Sequence, residues 1–144
     1  MTDKLHLTID SYGLYAEIPG VITLPLEQCN IQNYTRVALK QMYLHHDNDI
    51  RILFKFKAKT EPIYVHCSLL NKDDNIVNGK KSDVLAIIVP EIRTRVRDFC
   101  AKPPVNSFKL AKPDSKITMY LTSLDGTPVD NRSKFRVVYE LEFS

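Results

Sequence analysis

Hydrophobic and polar residues alternate along much of this chain, and the alternation is clearest between Lys116 and Phe143. A first run places Ile117, Met119 and Leu121 on one face, with polar residues between them. A polar stretch containing an Asp-Gly pair follows, and a second run then repeats the alternation. A period of two residues is typical of a β-strand with one buried face, so we predict two strands here. The inward residues of the second run are Phe135, Val137, Tyr139, Leu141 and Phe143.

The same alternation predicts further strands upstream. A different pattern occurs in VLAIIV, residues 84–89, which is apolar on both faces. We therefore predict that this segment is a central strand of a sheet. The other predicted strands cover residues 5–9, 15–18, 21–24, 37–43, 50–56 and 63–69, with a weaker one at 107–111.

The connections between the predicted strands are short and rich in turn-forming residues. Segments 26–34 and 91–100 are the best helix candidates, but neither shows a sustained helical period. About seven to nine strands at roughly 8–12-residue spacing indicate an all-β protein. We predict a single-domain antiparallel β-sandwich over residues 1–144, with a jelly roll as the favoured topology.

Composition fits an ordinary globular protein. The chain has 144 residues, 44% hydrophobic residues and a net charge of +3, values common among soluble domains. Cys29, Cys67 and Cys100 are odd in number and widely spaced, which predicts reduced thiols in a reducing compartment. No apolar run has the length of a membrane helix, and we expect neither a membrane partner nor a cofactor.

Two histidine-containing stretches are candidate chemical sites. His45 and His46 are adjacent, and adjacent residues of a strand point to opposite faces, so they would not share a metal ion there. The same alternation separates His66 from Cys67, which argues against a Cys-His nucleophile. The acidic stretch from Asp73 lacks the residue order of a calcium loop and fits a solvated hairpin. We expect no metal site and no enzymatic activity.

Basic and aromatic residues are the candidate interaction sites. Arg93, Arg95 and Arg97 recur at a period of two, and Lys55 and Lys57 form a second row. Such rows bind phosphates or carboxylates, and they also protect an edge strand against aggregation. Both interpretations stay open.

The early tyrosines are a second candidate. Tyr12 and Tyr15 lie close together in the sequence, and tyrosine is common in protein–protein interfaces. Core packing would explain them equally well.

The order of three segments resembles a known family. NYTRVALKQMYLHHD (33–47) is followed by IYVHCSLLNKDDNIVNGKKSDVLAIIVP (63–90), an extended strand, a polar loop and a buried strand. The chain then continues with SFKLAKPDSKITMYLTSLDGTPV (107–129) and FRVVYELEF (135–143). This order is similar to that of the single jelly-roll capsid proteins of virophages and Polinton-like viruses. The resemblance implies a jelly roll of two four-stranded sheets that assembles with itself or with a major capsid protein, and it implies no catalytic residues.

The leading hypothesis is therefore a structural protein, a small capsid component of the minor or penton-like kind. It would be located in the virion, self-associate or dock on another capsid protein, and contact nucleic acid through its basic rows. The alternative is a monomeric β-sandwich binding module for carbohydrate, peptide or a host protein.

Overall fold

The computed structural model describes residues 3–12, 21–51, 62–90, 94–104, 106–111, 115–123, 126 and 135–144. Within them the chain forms β-strands and two short 3-10 helices, Ile31–Asn33 and Lys72–Asp74. No helix in these ranges is long and apolar enough to cross a membrane. The strands are β1 (Leu5–Asp10), β2 (Ile22–Pro25), β3 (Arg36–His46), β4 (Ile63–Cys67), β5 (Ile76–Val77), β6 (Lys80–Lys81), β7 (Val84–Ile88), β8 (Asp98–Ala101), β9 (Ser107–Lys109), β10 (Lys116–Thr122) and β11 (Phe135–Phe143).

Two antiparallel sheets account for most of these strands. The first has the order β1-β11-β3-β8, and β9 also pairs with β3. The second has the order β2-β10-β4-β7. Strands β5 and β6 form a separate small hairpin.

The pairing of the strands is nested. The first strand pairs with the last, β1 with β11, and the second pairs with the last but one, β2 with β10. Inside these, β3 pairs with β8 and β9 at successive positions along its length, and β4 pairs with β7. When β8 and β9 are counted as one strand, eight strands pair in this first-with-last order and are divided between two sheets. This arrangement is a jelly roll. The predicted fold class, an all-β antiparallel sandwich with jelly-roll topology, is confirmed.

The core lies between the two sheets and is built from the alternating residues. Ile117, Met119 and Leu121 of β10 are buried, as predicted. So are Val137 and the other inward residues of β11 except Phe135, which is half-buried. Full burial of one such side chain contributes roughly 1.5–3 kcal/mol, so these two strands alone provide a large share of the driving force for folding.

The prediction of a central strand at residues 84–89 is wrong. Strand β7 covers most of this segment, and it lies at the edge of the second sheet. The sequence pattern reports that both faces are apolar, but it carries no information on how many neighbours the strand has. Because β7 is an edge strand, the apolar residue Ile87 on its outer face is exposed on the protein surface.

The two helix candidates are also corrected. Of residues 26–34 only Ile31–Asn33 is helical, as a single 3-10 turn. The end of the other candidate is strand β8, because Asp98–Ala101 pairs with β3. The predicted strand at 15–18 and residues 52–56 of another lie outside the described residues, while Ile50 and Arg51 are outside any strand.

Candidate assembly surface

Strand β7 forms one border of the second sheet. One side of it is bonded to β4, with Tyr64 opposite Ile87 and Ile63 opposite Ile88. On the other side, no strand of the described chain pairs with it. The side chain of Ile87 is 48% exposed, and that of Val89, directly after the strand, is 54% exposed. The backbone of Val84 is bonded to the side chains of Ser82 and Asn75. Beyond Val84, this border offers backbone groups that no described strand pairs, beside exposed apolar side chains.

The composition of β7 is unusual for an edge strand. Residues 84–89 contain no charged side chain, although proteins that stay monomeric commonly protect their edges with charges or proline. Strand β1, at the border of the first sheet, follows that rule within the strand itself, because it contains His6 and Asp10, whereas Asp83 and Pro90 only flank residues 84–89. The β7 border has instead the composition of a strand that another chain covers.

An apolar cleft of about 350 Å³ lies beside β7. It runs between β7 on one side and the β8–β9 connection and β9 on the other, where Pro103 and Phe108 form part of its wall. Leu39 and Leu85, both buried, also line it, and Ile76, which is 59% exposed, stands at its rim. A cleft of this composition accepts apolar side chains.

The β5–β6 hairpin holds Ile76 at this rim. Its turn is Asn78-Gly79, and both residues have positive φ, 51° and 79°, as a type I′ turn requires. The buried Asn75 side-chain amide donates to the carbonyl oxygens of Ser82 and Val84, at 3.1 and 2.9 Å. These bonds fix the hairpin to the start of β7, so the rim and the edge form one surface.

The arginine row predicted from the sequence is partly located. Arg95 and Arg97 are exposed and lie just before β8, outside any strand. The guanidinium of Arg95 donates to the carbonyl oxygen of Asn48 at 3.1 Å, and the carbonyl oxygen of Arg97 accepts from the backbone N–H of His46. Arg93, Lys55 and Lys57 lie outside the described residues. Nucleic-acid contact through these rows stays a prediction.

Tyr12 is the most exposed of the described large apolar residues, at 78%. The guanidinium of Arg136 lies 5.3 Å from the centre of its ring, a cation–π contact. Arg136 also donates to Asp10, with Nε 2.9 Å from Oδ1. Tyr15 lies outside the described residues, so a contact surface formed by the two tyrosines stays a prediction.

The adjacent histidines at the end of β3 have separate partners. His45 contacts Asp98 through Nδ1 at 2.7 Å and Asp47 through Nε2 at 3.0 Å. Nδ1 of His46 accepts from the backbone N–H of Asn48 at 3.0 Å. Because the two carboxylates lie at opposite nitrogens of the His45 ring, they do not converge on one point. Among the described residues, no group of three His, Cys, Asp or Glu side chains has the arrangement of a metal site.

Cys67 and His66 point to different faces of β4, as the alternation predicts. Burial raises the pKa of the Cys67 thiol to about 12, so at neutral pH it is a protonated core residue. His66 lies half-buried on the outer face, where it contacts Asp83 and Thr122.

Sequence reasoning missed the three residues that define the surface: Ile76, Ile87 and Val89. The sequence does contain a relevant pattern, the uncharged apolar run of residues 84–89. Such a run is expected in a central strand and also in an edge strand that is covered in an assembly. Only the sheet order decides between these.

Comparison with known proteins adds little. No family model and no curated protein matches the sequence. Among solved structures, the chain is similar to a Nora virus structure, with 7% identity and a TM-score of 0.25 over 98% of this chain and 57% of that one. It is also similar to the decameric BFDV capsid protein, with 8% identity and a TM-score of 0.25 over 98% and 95% of the two chains. The chain spans little more than half the length of the first, and at these TM-scores neither likeness carries an argument.

Proposed function

We propose that this chain is a structural protein that assembles with further copies of itself through the β7 border. The assembly we propose is a viral capsid, with this chain as a minor or penton-like component located in the virion. The observation that supports the proposal is the uncharged, exposed edge of β7 beside an apolar cleft. The fold alone does not fix the function.

The proposed contact is β7 against β7 of a second copy, in antiparallel orientation. Such a contact is related by a two-fold axis, so one patch of surface serves both partners and the contact by itself gives a dimer. A capsid would need a second, different contact between such dimers. Backbone N–H and C=O groups that are unpaired in the single chain would join the two sheets. Ile87 and Val89 of each copy would lose their exposure, and the cleft beside Ile76 would receive apolar side chains of the partner. A stable contact needs about 800 Å² on each copy.

A second copy is a better occupant than an unrelated chain for a physical reason. An antiparallel strand edge is complementary to itself, and an apolar rim without charges has no electrostatic feature that would select a different partner. Docking on another capsid protein is the other outcome that the experiment below distinguishes.

Light scattering across a range of protein concentrations tests the proposal. We expect the wild-type protein to form a defined oligomer, and the Ile87→Lys variant to shift to the monomer because a lysine in the contact would bury an unpaired charge. Thr8→Lys is the matched control, since Thr8 is an exposed residue on β1, the border strand of the other sheet. This control should assemble as the wild type does.

Three results would count against the proposal. A wild-type protein that is monomeric at every concentration contradicts self-assembly and favours the monomeric binding module. Assembly that survives Ile87→Lys but is lost in Thr8→Lys places the contact on β1. A wild-type monomer that forms a complex only with a major capsid protein, and loses it in Ile87→Lys, replaces the second copy by that partner.

A further inference from the structure

Three side chains, two from strands and one from the residue just before a strand, meet on the outer face of the second sheet. His66 lies on β4, Asp83 directly precedes β7, and Thr122 is the last residue of β10. His66 Nδ1 is 2.6 Å from Asp83 Oδ1, and His66 Nε2 is 2.7 Å from Thr122 Oγ1. The connectivity is therefore carboxylate, imidazole, hydroxyl, which is the arrangement of a nucleophile, its base and the group that orients the base.

The protonation states in this cluster follow from its hydrogen bonds. Partial burial opposes ionisation of Asp83, but the hydrogen bond from His66, with help from Lys72 and Tyr120, outweighs it and lowers the pKa of the carboxyl below its usual value. An ionised carboxylate only accepts hydrogen bonds, so Nδ1 of His66 carries the proton. In the neutral ring Nε2 is then the acceptor, and the Thr122 hydroxyl donates to it.

The surrounding structure holds the imidazole in place. The rings of His66 and Tyr120 stack with their centres 4.3 Å apart and their planes 4° from parallel. The Tyr120 hydroxyl donates to the second oxygen of Asp83 at 3.2 Å.

Asp83 is fixed through its backbone. Its carbonyl oxygen accepts from the N–H of Cys67 at 2.9 Å. The register between β4 and β7 shifts at Val65 and His66, so that Leu85 is an extra residue. Such bulges commonly redirect side chains next to functional sites. Here the irregularity lies beside the pair of His66 and Asp83.

An open cleft of about 420 Å³ lies over the cluster. Thr122 is only 4% exposed, and it lines this cleft together with His66. The same cleft is lined by Asn78 and Lys80, both exposed, and by Tyr64. A small ligand in the cleft would therefore lie next to the hydroxyl, with an amide and an ammonium group as hydrogen-bond donors on the surrounding wall.

We propose that Thr122, His66 and Asp83 form an acyl-transfer site for small carboxylic esters. Thr122 Oγ attacks the ester carbonyl carbon while His66 Nε2 takes the hydroxyl proton. The carbon–oxygen bond to the leaving group then breaks, and the proton passes from His66 to the departing alkoxide or phenoxide, which leaves as the alcohol or phenol. Water then attacks the carbonyl carbon of the resulting threonine ester while His66 Nε2 takes a proton from the water. The bond to Thr122 Oγ breaks, the proton passes from His66 to that oxygen, and the carboxylic acid is released. Asp83 is a positioning residue that keeps the imidazole in the required tautomer.

This proposal does not rest on the assembly function proposed above. The site lies on the outer face of the second sheet and the proposed contact lies at the border of β7, and Val77 and Val84 line the clefts of both. Asn78 and Lys80 are among the lining residues that can hydrogen-bond the carbonyl oxygen as negative charge develops on it.

The experiment uses p-nitrophenyl acetate as the probe on the full chain. We expect release of p-nitrophenol with one acetyl group on Thr122, located by mass spectrometry of the peptide that contains it. Thr122→Val and His66→Gln should each lower the rate by about 10²-fold or more, since a positioned base contributes roughly that much. Asp83→Asn should change the pH dependence of the rate, because an amide no longer enforces the tautomer.

Two variants serve as controls. Thr122→Ser keeps the hydroxyl and should remain acylated, which separates loss of the nucleophile from loss of the fold. His45→Gln removes a histidine that also bonds to carboxylates but has no hydroxyl partner, and its acylation should equal that of the wild type. Acetyl groups on lysines with none on Thr122, or an unchanged rate in folded Thr122→Val, would overturn the proposal.

Discussion

Tyr139 places a hydroxyl group in the middle of the core. Its side chain is completely buried, and no described group bonds to the hydroxyl oxygen. Burial also raises the pKa of this phenol well above its usual value. An unsatisfied buried polar group costs roughly 1–3 kcal/mol, so Tyr139 is a residue whose ring stabilises the fold while its hydroxyl weakens it.

Tyr139→Phe should therefore raise the free energy of unfolding, by about 1 kcal/mol, because the ring stays and only the unpaired oxygen is removed. Urea denaturation measures the change. Tyr43→Phe is the control, since the Tyr43 hydroxyl donates to Asp98 and its removal should not stabilise the protein. A loss of stability in Tyr139→Phe would mean that the hydroxyl has a partner in solution.

The contacts of His45 make stability depend on pH. Its hydrogen bonds to Asp98 and Asp47 raise the His45 pKa above the usual 6.5. Bonds from Tyr43 and His45 lower the Asp98 pKa below the usual 3.8. A histidine whose pKa is raised in the folded protein stabilises the fold below pH 6.5, and this stabilisation is lost as the pH rises through the folded-state pKa. An aspartate whose pKa is lowered in the folded protein stabilises the fold above pH 3.8, and this stabilisation is lost as the pH falls through the folded-state pKa.

His45→Gln should accordingly cost most stability between about pH 3.8 and 6.5 and progressively less above that range. Urea denaturation of both proteins at a series of pH values gives the difference curve. A difference that stays constant from acid to alkaline pH would show that the charge on His45 plays no part.

The hydrogen bonds of individual side chains were only partly predictable from the sequence, because some of the bonded residues are far apart along the chain. Alternation along β4 correctly separates His66 from Cys67. It does not reveal that Asp83 and Thr122, 17 and 56 residues away, reach the same imidazole. Such a contact depends on the order of the strands across the sheet, which no local pattern encodes.

At the scale of elements, the β5–β6 hairpin depends on its turn. Gly79 has φ of 79°, and no atom lies within 4 Å of the position that a Cβ would take. A larger residue therefore meets no steric obstacle there and is disfavoured by backbone conformation alone.

Gly79→Ala should lower the free energy of unfolding by about 1–2 kcal/mol, the cost of a left-handed conformation for an alanine. Lys80→Ala, an exposed neighbour outside the positive-φ positions, is the control and should change stability little. Denaturant melts compare the two variants. Equal stability of wild type and Gly79→Ala would indicate that the turn adopts another conformation in solution.

Strands were predictable wherever one face is buried and the other is polar. The predicted run in β11 has the bounds observed, because apolar residues occupy every second position of Phe135–Phe143, although Val138 breaks the polar face. Strand β8 was missed because it is short and only Ala101 is fully buried. Strand β7 was found but misplaced, since an apolar pattern on two faces fits a central strand as well as an edge that awaits a partner.

At the scale of the whole molecule, a jelly roll leaves the borders of its sheets unpaired. Strands β1 and β7 lie at two of these borders, and they differ in chemistry: charged residues accompany β1, while residues 84–89 carry none. Strand β2 is a third border and is also uncharged, but it ends in Pro25 and has no large apolar side chain as exposed as Ile87. The absence of charge together with exposed apolar side chains therefore favours β7 as the border at which chains would join. The assembly proposal depends on that asymmetry.

Hydrogen–deuterium exchange of the β7 amides, measured at several protein concentrations, tests the proposed assembly most directly. Amides of residues 85–88 that are not bonded to β4 should exchange quickly in dilute protein and slowly in concentrated protein, while amides of β1 should exchange at a rate independent of concentration. Exchange at β7 that stays fast at every concentration, or protection that appears at β1 instead, would contradict the account.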